Sequence, residues 1–198
     1  MQEKLKQFIN VNVKNMLMKD AYKKSGSAYY KASGDLIYCI NFQKSMGNRA
    51  QSARFYINIG IYSKQYQDVL QKEIKEQPNV TDWHVNKRIE QITGAPYTHY
   101  QIEDWAIPDL DKQISAELGN ANVFFSGIDS TEKMMLYLLS LVGINYDLFR
   151  YILAKREYVL AERCFSEVKS KFDNEERWER IMLNYQKIAD DFAFKLQT

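Results

Sequence analysis

In the first 19 residues, apolar side chains recur every three or four positions, which is the spacing of one face of a helix. The recurring apolar positions are Leu5, Phe8, Ile9, Val13, Met16 and Leu17. Residues three or four apart share one face of an α-helix, and here lysines occupy the opposite side. The pattern therefore predicts an amphipathic helix that ends near residues 19–22, where a Lys-Lys-Ser-Gly-Ser turn follows.

After this turn the hydrophobic period changes to two, which is typical of strands. Residues 28–31 predict a short strand, and Ser33-Gly34-Asp35 has the composition of a tight turn. A second strand over residues 36–43 carries Leu36, Tyr38, Ile40 and Phe42 on one side and Ile37, Cys39, Asn41 and Gln43 on the other. In a third strand, Phe55, Ile57, Ile59 and Ile61 alternate with Tyr56, Asn58, Gly60 and Tyr62. The links are short, so the strands predict an antiparallel meander whose apolar face packs on the N-terminal helix.

The next segment gives weaker signals. Residues 64–77 are polar with a few apolar anchors, which indicates a short helix or a loop. Residues 83–92 fit both a helix and a strand, since their apolar positions match either period. Residues 97–102 predict another short strand, and Pro108 closes the region.

From residue 109 onward the pattern is helical. Apolar positions over residues 110–118 predict one short helix, which Gly119 is expected to end. Asp129-Ser130-Thr131-Glu132 predicts the start of a helix that runs to about Val142. Residues 145–172 predict one or two helices, and Asp173 or Asn174 is expected to cap a last one.

These elements predict an α+β fold with an N-terminal helix on an antiparallel β-meander, followed by a C-terminal helical bundle. The expected organisation is an α+β domain over residues 1–108 and a helical extension over residues 109–198, packed together as one compact unit. A chain of 198 residues can bury a core of this kind without metal or disulfide support.

Composition and charge exclude several classes. Hydrophobic residues make up 45% of the chain and charged residues 26%, which argues against disorder. The net charge is +2, which gives no strong attraction to nucleic acid or membrane. No signal peptide and no apolar run long enough to span a bilayer is visible, and two widely spaced cysteines favour reduced thiols. A cytoplasmic location is expected.

The segment Ile40-Asn41-Phe42-Gln43-Lys44-Ser45 and the later Phe55-Tyr56-Ile57-Asn58-Ile59-Gly60-Ile61-Tyr62 carry a family resemblance. Together with the leading helix and the Tyr-Lys-Lys turn, they resemble a bacterial family known as domain of unknown function 4304. An arginine segment of that family corresponds to Arg88-Ile89. The resemblance covers roughly residues 5–107 and implies a fold, but it implies no activity.

A polar loop is the first candidate site. Gln43, Lys44, Ser45, Arg49 and the nearby Arg54 bring several hydrogen-bond donors together beside turn-forming residues. Such a loop suits an anion, either a phosphate or a carboxylate of a partner. A solvated hairpin loop that bonds to its own backbone explains the same residues.

The less apolar face of the predicted sheet is the second candidate. Tyr56, Asn58 and Tyr62 alternate along one strand, and Arg88 faces the same side if residues 83–92 form a strand. An open tyrosine-rich face suits a peptide or a nucleic-acid base. The alternative is a face covered by the C-terminal helices, and the mid-strand Gly60 fits both because glycine permits close approach.

The chain offers no recognisable catalytic, metal or cofactor pattern. His84 and His99 are the two histidines, and neither has metal-ligand spacing. The carboxylates near each histidine match only part of a catalytic arrangement. We therefore expect no metal and no cofactor.

Two functional hypotheses follow from these observations. The first is a non-catalytic binding protein that acts on a protein partner, with the C-terminal helical bundle as the partner surface. The second is binding of nucleic acid or another anion through the basic N-terminal half, where residues 1–108 carry 15 basic and 10 acidic side chains. The basic side chains of this second hypothesis are Lys23, Lys24, Lys31, Lys44, Arg49, Arg54 and Arg88. An enzyme with an unrecognised site is a third and weaker alternative.

Overall fold

The computed structural model describes residues 1–96 and 99–196. Its helices are α1 (Gln2–Phe8), α2 (Lys14–Lys19), α3 (Lys64–Val69), α4 (Glu90–Thr93), α5 (Ile107–Gly127), α6 (Thr131–Val142), α7 (Tyr146–Ala154), α8 (Tyr158–Phe172) and α9 (Trp178–Asp191). Its strands are β1 (Lys23–Ser25), β2 (Ala28–Ser33), β3 (Leu36–Lys44), β4 (Arg54–Ser63), β5 (Val85–Arg88) and β6 (Tyr100–Gln101). Short 3-10 turns lie at Val80–Asp82 and Ile102–Asp104. This is the predicted α+β fold.

The strands form one antiparallel sheet in the order β1-β2-β3-β4-β5, and β6 pairs with the start of β4. The predicted meander of β2, β3 and β4 is confirmed. The β2–β3 turn contains Gly34 at φ +58°, a backbone conformation that favours glycine. The register pairs Cys39 with Gly60 and Asn41 with Asn58, so both pairs lie on the same face of the sheet.

The first face of the sheet is the strongly apolar one; it packs on the N-terminal helix as predicted and also on α5, which was not predicted. The Phe8 ring of α1 lies 6.4 Å from the Phe55 ring of β4. Further along the same face, Tyr38 stacks on Phe125 of α5 with ring centroids 4.8 Å apart. The Tyr38 hydroxyl also donates a hydrogen bond to the Ile128 carbonyl at 3.0 Å. This face is therefore buried beneath both the N-terminal helix and α5.

The N-terminal helix contains a π-helical segment, Ile9–Val13, between α1 and α2. A π-turn holds one more residue than an α-helical turn, and such turns are frequent at functional sites. Ile9 and Val13 of this segment are buried, while Asn10 between them is exposed. The segment therefore keeps its apolar side on the sheet and presents a polar amide to solvent.

The helix that was expected to stop at Gly119 does not stop there, and that prediction was wrong. Helix α5 continues to Gly127, because Ala121 and Phe125 beyond the glycine are buried. A glycine in a helix interior costs about 1 kcal/mol relative to alanine, which this burial outweighs. Packing of the residues beyond Gly119 therefore outweighs the local tendency of glycine to end a helix.

The expected cap of the last helix was also wrong. Helix α9 begins at Trp178 with Arg177 as its N-cap residue, not at Asp173 or Asn174. The Asn174 amide instead donates to the Asp173 carboxylate at 3.0 Å. The segment 83–92, which fitted both a helix and a strand, contains strand β5 and the start of α4. The strand predicted at residues 97–102 falls partly outside the described residues.

The chain divides into two compact units. The first comprises Met1–Lys64 and Lys75–Thr131, and the second comprises Gln65–Ile74 with the chain from Glu132 onward. The first unit contains the sheet and α5. The expected domain boundary at residue 108 stays a prediction.

The second unit has an aromatic core. One ring from each of three helices meets there, since Tyr185 of α9 lies 5.0 Å from Phe149 of α7 and 5.8 Å from Phe165 of α8. The α7 helix begins at a conventional cap, because the Asn145 side chain accepts a hydrogen bond from the Leu148 amide at 2.9 Å. Helices α7, α8 and α9 belong to the predicted C-terminal helical region, whereas α5 of that region lies in the first unit.

Candidate functional site

The second face of the sheet has two ends of opposite character. The apolar end consists of Ile37, Cys39, Tyr62 and Trp83, which form one buried cluster. The polar end consists of Asn41, Gln43, Tyr56, Asn58 and Arg88, which the strand register places side by side. Both ends lie on β3 and β4, with β5 supplying Arg88 at the edge.

The apolar end is closed by Trp83, which lies in the chain just before β5. The indole ring lies flat over Gly60, so that a Cβ at residue 60 would be 2.1 Å from Trp83 Cε3. Only glycine permits this approach. The indole N–H donates to the Pro78 carbonyl at 3.1 Å, which satisfies its polar atom in the core. Tyr62, a predicted site residue, is fully buried here and belongs to the core.

The polar end is organised by Asn58. Its amide donates to Asn41 Oδ1 at 3.2 Å and to Gln43 Oε1 at 3.1 Å. Asn41 in turn donates to the Ser27 hydroxyl at 2.9 Å. Asn41 and Asn58 are both buried, and buried amides are stable only when they are hydrogen-bonded. The network therefore fixes these side chains and leaves Gln43 exposed at the rim.

Arg88 stacks on Tyr56 at the edge of this network. The guanidinium carbon lies 4.2 Å from the Tyr56 ring centroid, a cation–π contact. The His99 ring approaches the same tyrosine with centroids 6.1 Å apart. Nη1 of Arg88 is buried, and no guanidinium N–H donor has a hydrogen-bond partner among residues 1–96 and 99–196. Arg88 is thus positioned by its stacking contact, while its hydrogen-bonding capacity is unused.

The predicted loop mostly satisfies its own backbone. Ser45 donates its amide to the Arg54 carbonyl at 3.0 Å, and its hydroxyl accepts from the Gly47 amide at 3.2 Å. The Asn48 side chain bonds both the amide and the carbonyl of Arg54. Arg49 is exposed, and its backbone pairs with Ser52. The loop geometry is therefore set by internal hydrogen bonds.

The remaining cations of the candidate set differ in their surroundings. Arg54 Nε donates to Gln101 Oε1 at 2.6 Å. Burial of the neighbouring Glu103 raises the pKa of its carboxyl. Hydrogen bonds from Ser52 and Ala53 and the charge of Arg54 lower it by more, so the net pKa lies below the usual range. Lys44 is exposed at the end of β3 and has no partner among the described residues. The structure thus brings together Gln43, Tyr56, Asn58 and Arg88, with Arg54 on the same face, and separates them from Tyr62.

Cys39 and His84 of the first unit, a possible nucleophile and a possible base, both have structural roles. Burial raises the pKa of the Cys39 thiol far above its ordinary value, so the thiol stays protonated. His84 Nδ1 accepts a hydrogen bond from the Ser63 amide at 3.0 Å, and its ring stacks on Tyr62 at 5.0 Å. The Asp82 pKa is lowered chiefly by its hydrogen bond with Lys75. Among the described residues, no group of three His, Cys, Asp or Glu side chains is arranged to hold a metal ion.

Several residues of this face were missed by the sequence patterns. Trp83 was assigned to an ambiguous segment, although Gly60 in mid-strand was a signal that something approaches the sheet closely. Asn41 was already assigned to this side by the alternation along β3, but its hydrogen bonds with Asn58 and Ser27 are visible only in the folded chain. His99 reaches Tyr56 from a segment of irregular structure, which no period reveals.

A comparison with models of protein families confirms the family resemblance of the sequence. The model of the family described as Domain of unknown function (DUF4304) matches residues 13–121. This chain belongs to the DUF4304 family. The match runs from within the N-terminal helix to within α5 and includes both ends of the second sheet face. No curated protein and no solved structure matches the chain, and the DUF4304 description assigns no activity.

No helix in the described part of the chain combines the length and the apolar character that a membrane crossing requires.

Proposed function

We propose that this DUF4304 protein is a non-catalytic binding protein, and that the polar end of its sheet holds an acidic side chain of a protein partner. The observation that carries the proposal is the guanidinium of Arg88, which is stacked on Tyr56 with its donors unused by the described residues. A stacked guanidinium presents a planar fork of donors that matches a carboxylate.

The electrostatics of Arg88 support this choice of ligand. A charged donor without a partner costs more than 1 kcal/mol when it is buried, and a carboxylate removes this cost by a charge-assisted hydrogen bond. Arg88 is half-buried, so part of the side chain remains accessible from solvent. Carboxylate binding therefore compensates a charge that the described residues leave without a hydrogen-bonded counter-ion.

The surroundings of Arg88 support a protein partner. Tyr56 and Arg88 are residue types that are enriched at the centres of protein interfaces. Gln43 lies exposed beside them and has an amide N–H group that can bond a partner's backbone. The Asn58 amide holds Gln43 and the stacking contact holds Arg88 on Tyr56 before binding, which lowers the entropy cost of association.

The test is affinity capture of the tagged full chain from its native host, in the presence of nuclease. We expect one protein to be recovered in stoichiometric amount with the wild type and lost with Arg88→Gln. Arg88→Lys retains the charge but not the planar fork, so it should weaken recovery by about tenfold. Arg180→Gln is the matched control, because Arg180 is exposed on α9 and the same charge is removed.

Two results would overturn the proposal. One is recovery of the same partner with Arg88→Gln at the wild-type level. The other is a catalytic turnover that requires His84 or His99 and that persists without any partner. To tie a lost partner to the surface rather than to folding, the thermal unfolding midpoint of Arg88→Gln must lie within a few degrees of the wild type.

A further inference from the structure

A cavity of the first unit lies between the N-terminal helix, the β1–β2 turn and the end of β3. It has a volume of about 290 Å³. Its lining, called the lysine cavity below, consists of Lys6, Ile9, Asn10, Lys24, Gly26, Ser27, Phe42 and Lys44. Three of these eight residues are lysines and none is acidic. A cavity with a single sign of charge attracts counter-ions strongly.

Two of the lysines keep most of their charge available to a ligand. Lys44 has no partner among the described residues. Lys6 has a single ion pair, with Glu3 at 3.8 Å, and both side chains are mostly exposed, so water screens this pair. The described residues therefore leave most of the positive charge of the cavity without a counter-charge.

Lys24 is held in place by two contacts. Its ammonium donates to Asn10 Oδ1 at 2.5 Å and lies 5.8 Å from the Tyr29 ring centroid. Because the Asn10 oxygen is occupied by Lys24, the two N–H donors of the amide are left for another group. Asn10 lies in the π-helical segment and lines the cavity.

Ser27 adds another oriented donor. Its hydroxyl oxygen accepts a hydrogen bond from the Asn41 amide at 2.9 Å, and its carbonyl accepts from the Phe42 amide. The hydroxyl proton is consequently directed to a different acceptor. The lining therefore offers ammonium, amide and hydroxyl donors, while its one amide oxygen is already engaged.

We propose that the lysine cavity binds the phosphate group of a small phosphorylated molecule. Phosphate oxygens are pure acceptors with the charge that these donors complement. The volume is near the lower limit of small-molecule sites, which suits a phosphomonoester of nucleotide size or smaller. The apolar contacts of Ile9 and Phe42 border the donors and suit the uncharged part of such a molecule.

This site is independent of the protein-binding proposal. The lysine cavity uses Lys6, Lys24 and Lys44, and the polar end uses Arg88 on Tyr56. Either proposal can fail alone, because phosphate binding and partner capture are measured separately.

The test is a nuclear magnetic resonance titration of the isotopically labelled full chain with inorganic phosphate, adenosine monophosphate and adenosine, at constant ionic strength. We expect saturable shifts of the Gly26 and Ser27 amides with both phosphates, and no saturable shift with adenosine. Lys24→Ala and Lys44→Ala should each weaken the affinity by about fivefold to tenfold, since each removes one of three charges. Lys112→Ala is the matched control, an exposed lysine on α5 outside the cavity.

The proposal is overturned if neither inorganic phosphate nor adenosine monophosphate saturates the shifts at about 10 mM, a concentration that only very weak sites require. It is also overturned if Lys24→Ala and Lys44→Ala leave the affinity unchanged. Binding of a single-stranded oligonucleotide without binding of the mononucleotide would overturn it as well, since this result identifies a nucleic-acid surface. Unchanged Lys44→Ala spectra away from the cavity would show that the exposed lysine is dispensable for folding.

Discussion

The two ends of the second sheet face lie on the same two strands, but they are closed in different ways. At the apolar end, Ile37, Cys39 and Tyr62 are covered by the indole of Trp83. At the polar end, a few residues along the strands, Asn58 joins its neighbours by hydrogen bonds. One end is stabilised by burial of apolar surface and the other by satisfied polar groups.

The comparison shows how one sheet face can combine a core with a binding surface. The apolar end depends on a close fit between Trp83 and Gly60, which leaves no space for a ligand. The polar end keeps Gln43 and part of Arg88 accessible, while the buried amides of Asn41 and Asn58 are satisfied by hydrogen bonds. Substitutions at Trp83, Gly60, Asn58 and Tyr56 test this contrast, and we expect their effects on stability to decrease in that order.

Removal of the indole should have the largest effect. Trp83→Ala deletes a buried aromatic side chain and opens the apolar end, so we expect a loss of about 3–5 kcal/mol in the free energy of unfolding. Chemical denaturation measures this loss. Cys39 is a second reporter, because its thiol is buried and its pKa is raised, and it should react with a thiol reagent much faster in the variant. Unchanged labelling of Cys39 would show that Trp83 does not close this end.

Gly60→Ala should cost somewhat less, about 2–3 kcal/mol, because the added methyl group displaces the Trp83 ring. In the double variant Gly60→Ala with Trp83→Ala, the clash disappears, so the combined loss should be smaller than the sum of the single losses. Gly119→Ala is the control. It places the same methyl group in open space on α5 and should stabilise by about 0.5–1 kcal/mol. Additive losses in the double variant would contradict the close contact.

Asn58→Ala tests the polar end. It leaves the acceptors of Asn41 and Gln43 without their shared donor, and we expect a loss of about 1–3 kcal/mol in the free energy of unfolding. Gln43→Ala removes only an exposed partner and should change the stability by less than about 0.5 kcal/mol. Equal effects of the two substitutions would show that the network does not organise this end.

The smallest effect is expected for the cation–π contact. Tyr56→Leu should lower stability by about 0.5–1 kcal/mol, because it removes the ring beneath Arg88. Tyr56→Phe keeps the ring and should have little effect. Thermal unfolding of both variants, each with Arg88 and with Arg88→Gln, isolates the interaction by a double-mutant cycle. Equal stability of the Leu and Phe variants would argue against a stabilising stack.

Much of the sheet was predictable from the sequence, because the period of two in β3 and β4 directly assigns residues to faces. The same alternation placed Gln43, Tyr56 and Asn58 on one side. Arg88 could not be assigned until β5 was known to be a strand, since its apolar positions fit two periods. The local patterns therefore predict the strands, but they do not show which residues pack over the sheet, such as Trp83.

Helix limits failed for a related reason. Gly119 is a stop signal only when nothing beyond it is buried, and burial depends on tertiary packing. The lysine cavity was not predicted as a unit, because its lysines come from α1, β1 and the end of β3 and converge only in the folded chain.

The π-helical segment Ile9–Val13 has a consequence for how DUF4304 sequences can change in length. In an α-helix each residue turns the chain by about 100°, so the loss of one residue rotates everything on one side of the deletion. In the wider π-turn each residue turns the chain by less, so loss of one residue here would restore a regular α-helix while Leu5 and Phe8 stay on the same side as Val13 and Leu17. We therefore expect single-residue deletions among relatives to be tolerated within this segment and to be rare elsewhere in the N-terminal helix.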